Sequence, residues 1–151
     1  MNPMQIILNN SRSGFDKIGG SRRITFGDLQ RLRREIGPDG IESREEAERL
    51  IVLERGHGRL DHGFADWLVA AMVDFVVWSG RPTGTVTEDD ARWLAAILTD
   101  GRGRPAGETA SRILREIATE AQVFENDALA ILATAARTAP ARRAHAAVLA
   151  A

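Results

Sequence analysis

The feature that most constrains this chain is an apolar stretch from Phe64 to Trp78, 15 residues long, with Asp66 and Asp74 as its only charged side chains. It is too short for a membrane span, which needs about 20 apolar residues. Large apolar residues recur along it at three- and four-residue spacing, and valine or alanine fills most other positions. The pattern predicts a helix over about 62–79, buried nearly all round at the centre of a domain.

Three further helix starts carry one signal, a hydroxyl residue followed three positions later by an acid. The pairs are Thr25 with Asp28, Ser43 with Glu46, and Thr87 with Asp90. In such a capping box the hydroxyl accepts from the acid's backbone N–H, and the carboxylate reaches back to the N–H of the cap. Apolar residues at helical spacing follow each pair, so three helices are predicted after these starts.

The remaining pattern predicts a fifth helix over about 106–122, a sixth from near Asn126 to about Thr138, and a short terminal helix after Pro140. No strand pattern is longer than a few residues. The fold class predicted is therefore all-α, a single-domain bundle of six to seven helices. Its expected divisions are a flexible arm over 1–23, the bundle over 24–138 and a short helix or tail over 139–151.

The amino-acid composition argues against several classes of function. The chain of 151 residues has no cysteine, so thiol catalysis and thiolate metal sites are excluded. Its 20 basic and 21 acidic side chains are balanced, with basic ends and an acidic middle, which gives little reason to expect nucleic acid as the partner. No export signal precedes the apolar run near residue 4, and a cytoplasmic location is expected.

A weak internal repeat places SREEAERLIVL at 43–53 on TEDDARWLAAI at 87–97, and Gly40 on Gly84. It suggests pseudo-repeated helix pairs, although capping boxes also make unrelated helix starts alike. Each unit combines a glycine turn with several acids, whose oxygens would suit Ca²⁺ or Mg²⁺. The alternative is that these acids only cap helix starts and interact with the helix dipole. Viewed as an EF-hand loop, Ser79–Asp90 lacks carboxylates at its first, third and fifth positions.

The two units DGIESREEAERLI and TGTVTEDDARWLA, separated by a strongly apolar helix, resemble the TerB-like tellurite-resistance family of helical bundles and, more remotely, degenerate EF-hands. The resemblance covers about residues 26–122. It implies that Asp39, Glu46 and Asp90 stand at acidic, metal-linked positions, with Thr83 departing from the pattern where the first unit has Asp39. It further implies an accessory stress-response or membrane-associated assembly protein and not an enzyme.

Other residues offer alternative sites. His57, Asp61 and His62 form the only close set of histidines and a carboxylate, which suits zinc in a metal-dependent hydrolase or simply a solvated loop. Asp66 and Asp74 lie on one side of the central helix, where each could pair with an arginine of another helix. The candidate arginines are Arg92, Arg112 and Arg115.

Arginines surround the first predicted helix and are the best candidates for phosphate contacts. They are Arg22, Arg23, Arg31, Arg33 and Arg34. With the following helix they could form a helix-turn-helix and serve a nucleic-acid-associated regulator, or they could pair with the acidic second helix. The sequence lacks phosphate-loop, serine-elbow and HExxH motifs.

The leading hypothesis is accordingly a non-enzymatic domain that binds another protein, modulated by a divalent cation. A homodimer through the tryptophan-bearing central helix is left open, because Trp and Phe are common at interfaces.

Overall fold

The computed structural model describes residues 25–36, 39–57 and 62–137. Six α-helices lie within them: α1 (Phe26–Ile36), α2 (Arg44–His57), α3 (His62–Val73), α4 (Glu88–Leu98), α5 (Glu108–Glu120) and α6 (Ala128–Arg137). The predicted all-α bundle is confirmed. The arm predicted over 1–23 and the tail predicted over 139–151 lie outside the described residues. Among the helices that the structure describes, none is long and apolar enough to cross a membrane.

The three predicted helix starts are all present. In each, the acid's backbone N–H donates to the hydroxyl: Asp28 to Thr25 at 3.2 Å, Glu46 to Ser43 at 3.2 Å, and Asp90 to Thr87 at 3.0 Å. The carboxylate accepts the return bond from the cap's N–H in the first and third pairs, at 2.9 and 3.2 Å. Local sequence alone therefore placed the starts of α1, α2 and α4.

Two short strands complete the described structure. β1 (Thr85–Val86) and β2 (Val123–Phe124) pair in parallel, with Thr85 opposite Val123. β1 leads into α4 and β2 leads into α6, and these two helices pack against each other. The strand pair therefore ties the starts of two neighbouring helices together.

The core is one cluster of apolar side chains drawn from all six helices. α3 lies at its centre and packs against α1, α2 and α5. Phe64, Leu68 and Met72 of α3 are almost completely buried, as the apolar pattern predicts. Burial of such side chains stabilises the fold by about 1.5–3 kcal/mol each.

The expectation that the central helix is buried nearly all round is wrong along one stripe. Asp66, Ala70, Asp74 and Trp78 are exposed at four-residue spacing. The helix also widens into a π-helical segment, Asp74–Trp78, in which Ser79 N–H donates to the Asp74 carbonyl at 2.8 Å. A π-helical turn holds more residues than an α-helical turn, so side chains within it point in directions that α-helical spacing does not predict. Trp78 therefore does not lie on the apolar face to which its spacing assigned it.

Candidate functional site

Two exposed apolar residues lie near the end of the central helix. Trp78 closes the π-helical segment and is 37% exposed, and Val123 of β2 is 53% exposed. Gly84 links the two chain segments, because its N–H donates to the carbonyl of Val77, the residue before Trp78, at 2.7 Å, and its carbonyl accepts from Val123 N–H at 3.1 Å. Trp78 and Val123 therefore belong to the same end of the molecule. We call these two residues, with the turn at Gly84, the Trp78 surface.

Glycine is favoured at position 84 for two reasons. Its φ of +80° is a conformation that side chains disfavour. A Cβ built there would also lie 2.9 Å from the Gln122 side-chain oxygen. Gln122 N–H donates to the Gly84 carbonyl at 2.8 Å, so both sides of the turn are fixed by hydrogen bonds. The Trp78 surface is consequently built on a rigid turn.

The exposed stripe of the central helix, which ends at Trp78, also carries Asp66 and Asp74. Asp66 accepts a hydrogen bond from the Arg112 guanidinium of α5 at 2.8 Å, which confirms one of the pairs predicted for this stripe. The pair is exposed and not buried, since 67% of the Asp66 side chain is accessible. Asp74 makes no ion pair with a described residue, so its predicted pairing is wrong within that part of the chain. Arg92 pairs instead with Glu88, four residues earlier on its own helix.

A polar junction joins the starts of α2 and α4. The Arg44 guanidinium donates to Asp89 at 2.7 Å and to Asp90 at 2.9 Å, and its carbon lies 4.9 Å from the Trp93 ring centre. The Trp93 indole N–H donates to Glu48 at 2.9 Å. Burial opposes the charge on Arg44, but the hydrogen bonds and the negative charges of the two aspartates together outweigh that effect and raise the pKa of Arg44. We call this group the Arg44 junction.

The acidic positions that the TerB-like resemblance implies have different environments. Asp39 is exposed in the loop before α2, Glu46 is buried in the first turn of α2, and Asp90 is held by Thr87 and Arg44. Within the described residues, no group of three or more histidine or acidic side chains is placed to hold a metal ion. The structure thus does not bring these three carboxylates together as such a group, and cation binding stays a prediction.

Glu46 is the most unusual of these acids because its relative exposure is only 9%. Burial raises the pKa of its carboxyl group, and the neighbouring charge of Glu42 acts in the same direction. The backbone N–H of Glu42 and the charge of Arg49 oppose the rise without cancelling it. The ionised form of Glu46 is therefore disfavoured in the folded chain.

The structure describes only some of the residues of the other predicted sites. Asp61, Arg22 and Arg23 lie outside the described residues, as do the side chains of His57 and His62, so the proposed zinc set stays a prediction.

The structure describes more residues of the basic first helix. Arg31, Arg33 and Arg34 are exposed on α1, and Arg31 lies 4.0 Å from Asp28 of the same helix. A cavity of about 470 Å³ is lined, among described residues, by Gly27, Arg31, Arg34 and Glu35. The connection from α1 to α2 spans residues 37–43, longer than the 3–4-residue turn of a helix-turn-helix.

Comparisons with protein families, with curated proteins and with solved structures gave no match for this chain. Its sites are therefore described from its own residues. Sequence patterns had missed the exposure of Trp78 and the pairing of Val123 with β1. The only signal for the turn was the glycine and proline content of residues 80–84, which marks a break but not its partner.

Proposed function

We propose that this chain is a non-enzymatic protein-interaction domain whose contact is centred on the Trp78 surface. The observation that carries the proposal is the exposure of a tryptophan and of a valine whose chain segments are both hydrogen-bonded to one turn. Tryptophan is over-represented among the residues that dominate binding energy at protein interfaces. A single exposed apolar residue is ordinary on a protein surface, whereas adjacent large ones favour a contact site.

Two further features support this proposal. The hydrogen bonds of Gly84 fix the turn before any partner arrives, so little conformational entropy would be lost on binding. The exposed stripe of the central helix adds Asp74, four residues before Trp78, which gives the apolar contact a polar edge of the kind that interfaces have. The TerB-like resemblance, which implies an accessory assembly protein, points to the same class of function.

The proposal is tested by capture from native extract with three tagged forms of the full chain. These are the unaltered chain, Trp78→Ser and a control, Val52→Ser, which changes a valine that is 66% exposed on α2. Loss of a tryptophan that dominates an interface costs at least about 2 kcal/mol, or about 30-fold in affinity. We expect proteins that the unaltered chain and Val52→Ser capture equally to be lost with Trp78→Ser.

Circular dichroism and melting temperature first establish that both variants fold. Capture of the same proteins in equal amounts by Trp78→Ser would contradict the proposal, as would the absence of any specific protein. Sedimentation velocity on the same three forms identifies a homodimer as the partner if Trp78→Ser converts it to a monomer.

Modulation by a divalent cation is proposed separately for Asp39, Glu46 and Asp90. A ligand that binds only the native chain raises its melting temperature by mass action. Tryptophan emission is followed during melting with millimolar Ca²⁺ or Mg²⁺ and with a chelator. A saturable rise with one ion supports cation binding, and identical melts in all conditions contradict it.

A further inference from the structure

The outer edge of β2 carries unpaired backbone groups. On the inner side, Val123 N–H donates to the Gly84 carbonyl at 3.1 Å. Glu125 N–H donates to the Val86 carbonyl at 3.0 Å, also on that side. The backbone groups of the residue between them, Phe124, point away from β1, because successive residues of a strand bond to opposite sides. Within the described residues, neither the N–H nor the carbonyl of Phe124 has a hydrogen-bond partner.

This edge of β2 is accessible. Among the described helices and strands, β1 is the element against which β2 mainly packs. Val123 is 53% exposed, Phe124 is partly exposed, and Glu125 is exposed. An edge strand with free donors and acceptors can accept an extended segment of another chain as an added strand. The unpaired groups of Phe124 therefore define the kind of ligand, an extended peptide backbone.

The charges around the edge narrow the choice of segment. Glu120 precedes β2, and Glu125 and Asp127 follow it. All three are exposed, and none forms an ion pair with a described residue. Opposite charges across an interface favour association, whereas like charges disfavour it. A second copy of β2 would place the same acids opposite one another, so a basic segment fits this edge better.

We infer that the outer edge of β2 is a docking site for an extended segment of a partner protein in which basic and apolar side chains alternate. The segment adds a third strand and exchanges backbone hydrogen bonds with Phe124. Its apolar side chains contact Val123, and its basic side chains lie near the exposed acids. The inference rests on the proposed function, because Val123 belongs to the Trp78 surface, and it names the kind of partner that this surface takes.

A pair of variants isolates the outward backbone N–H. Phe124→Pro removes this donor, whereas the N–H groups that Val123 and Glu125 direct to β1 are retained. Proline is tolerated in an edge strand where its missing N–H would face solvent, and it favours the extended conformation that Val123 already has. Phe124→Ala is the matched control, since both variants lose the aromatic ring and only proline loses the N–H.

The probe is a labelled, terminally blocked heptapeptide of alternating lysine and valine, which as a strand has one basic and one apolar face. Binding to the full chain is measured by fluorescence anisotropy at low salt. We expect the Phe124→Pro chain to bind at least about fivefold more weakly than the Phe124→Ala chain, because a peptide carbonyl loses its donor. A peptide of alternating glutamate and valine should bind all forms more weakly than the lysine peptide.

Amide exchange followed by NMR gives a second readout on the unaltered chain. Without peptide, the Phe124 amide should exchange faster than the amides of Val123 and Glu125, which are bonded to β1. The lysine–valine peptide should slow exchange at Phe124. Circular dichroism and melting temperature establish whether both variants fold. If the proline variant does not fold, exchange at Phe124 decides the question.

Three results would overturn the inference: no binding of the lysine–valine peptide, equal affinity of the folded proline and alanine variants, or no protection of the Phe124 amide by the peptide. A dimer that Phe124→Pro converts to a monomer in sedimentation velocity would identify a second copy as the occupant and also contradict it. Extract proteins that depend on Trp78 but are captured equally by Phe124→Pro and Phe124→Ala would reject the strand edge alone. The proposed function itself fails if Trp78→Ser changes no capture.

Discussion

Helices α1 and α2 follow one another in the chain but are attached to the molecule by different means. α2 buries Leu50 and Ile51 and is also linked to α4 by the Arg44 junction and by Arg55, which donates to the Ile97 carbonyl at 2.8 Å. α1 buries a comparable apolar face. Asp28 of α1 has a further interaction, and the other side chains of α1 make no hydrogen bond or ion pair with another described helix.

From this difference we expect α1 to open more readily than the helices that side-chain hydrogen bonds link to one another. Apolar contacts are non-directional and do not by themselves fix one arrangement of a helix. Hydrogen bonds and ion pairs require particular partners and fix one arrangement. Local opening in proteins occurs where a segment can leave without breaking the contacts of the rest.

The largest effect is expected from truncation of a buried leucine in α2. Leu50→Ala should lower the free energy of unfolding by about 2–5 kcal/mol, because Leu50 is fully buried. Leu32→Ala should lower it by less, since the loss cannot exceed the free energy that holds α1. Urea unfolding followed by tryptophan emission measures both, and equal losses would break the contrast between the two helices.

A smaller loss is expected at the glycine turns that precede α2 and β1. Gly40 and Gly84 have φ values of +71° and +80°, but only Gly84 has a neighbour, Gln122, close to a Cβ position. Each alanine variant should lose about 1–3 kcal/mol from backbone strain, with Gly84→Ala the more damaging. Gln122→Ala should recover part of the loss at Gly84 and none at Gly40. Equal losses at the two glycines in urea unfolding would contradict this reasoning.

The Arg44 junction is expected to contribute less than about 1 kcal/mol, because 40% of Arg44 and 80% of Asp89 are accessible and water screens their attraction. A double-mutant cycle with Arg44→Ala and Asp89→Ala measures the coupling, which should shrink as salt is added. A coupling close to zero at all salt concentrations would indicate that packing of Arg44 on Trp93, and not its pair with Asp89, makes the link.

The smallest effect is predicted for Glu46→Gln and depends on pH. Because burial raises the pKa of Glu46, its contribution to stability falls as the pH rises from the ordinary carboxyl range through the folded pKa. The variant should be more stable than the unaltered chain at neutral pH. The difference should vanish in acid, where Glu46 is protonated in both states. Melts at several pH values check this, and a pH-independent difference would contradict it.

The sequence predicted what local rules determine. Thr25 and Thr87 form capping boxes because cap and acid are only three residues apart. Glu46 has the same spacing from Ser43, yet it is buried, and only the surrounding helices could decide that. Trp78 was misplaced because the apolar pattern does not register a π-helical turn. The pairing of Thr85 with Val123 joins distant segments, and two-residue strands leave no readable alternation.

Hydrogen exchange of the full chain, resolved by mass spectrometry, tests the central contrast most directly. The amides of α1 should exchange through an opening of clearly lower free energy than those of α2 to α6, and Leu32→Ala should accelerate α1 alone. Exchange of α1 together with the other helices, at the free energy of global unfolding, would contradict the existence of a separately opening helix.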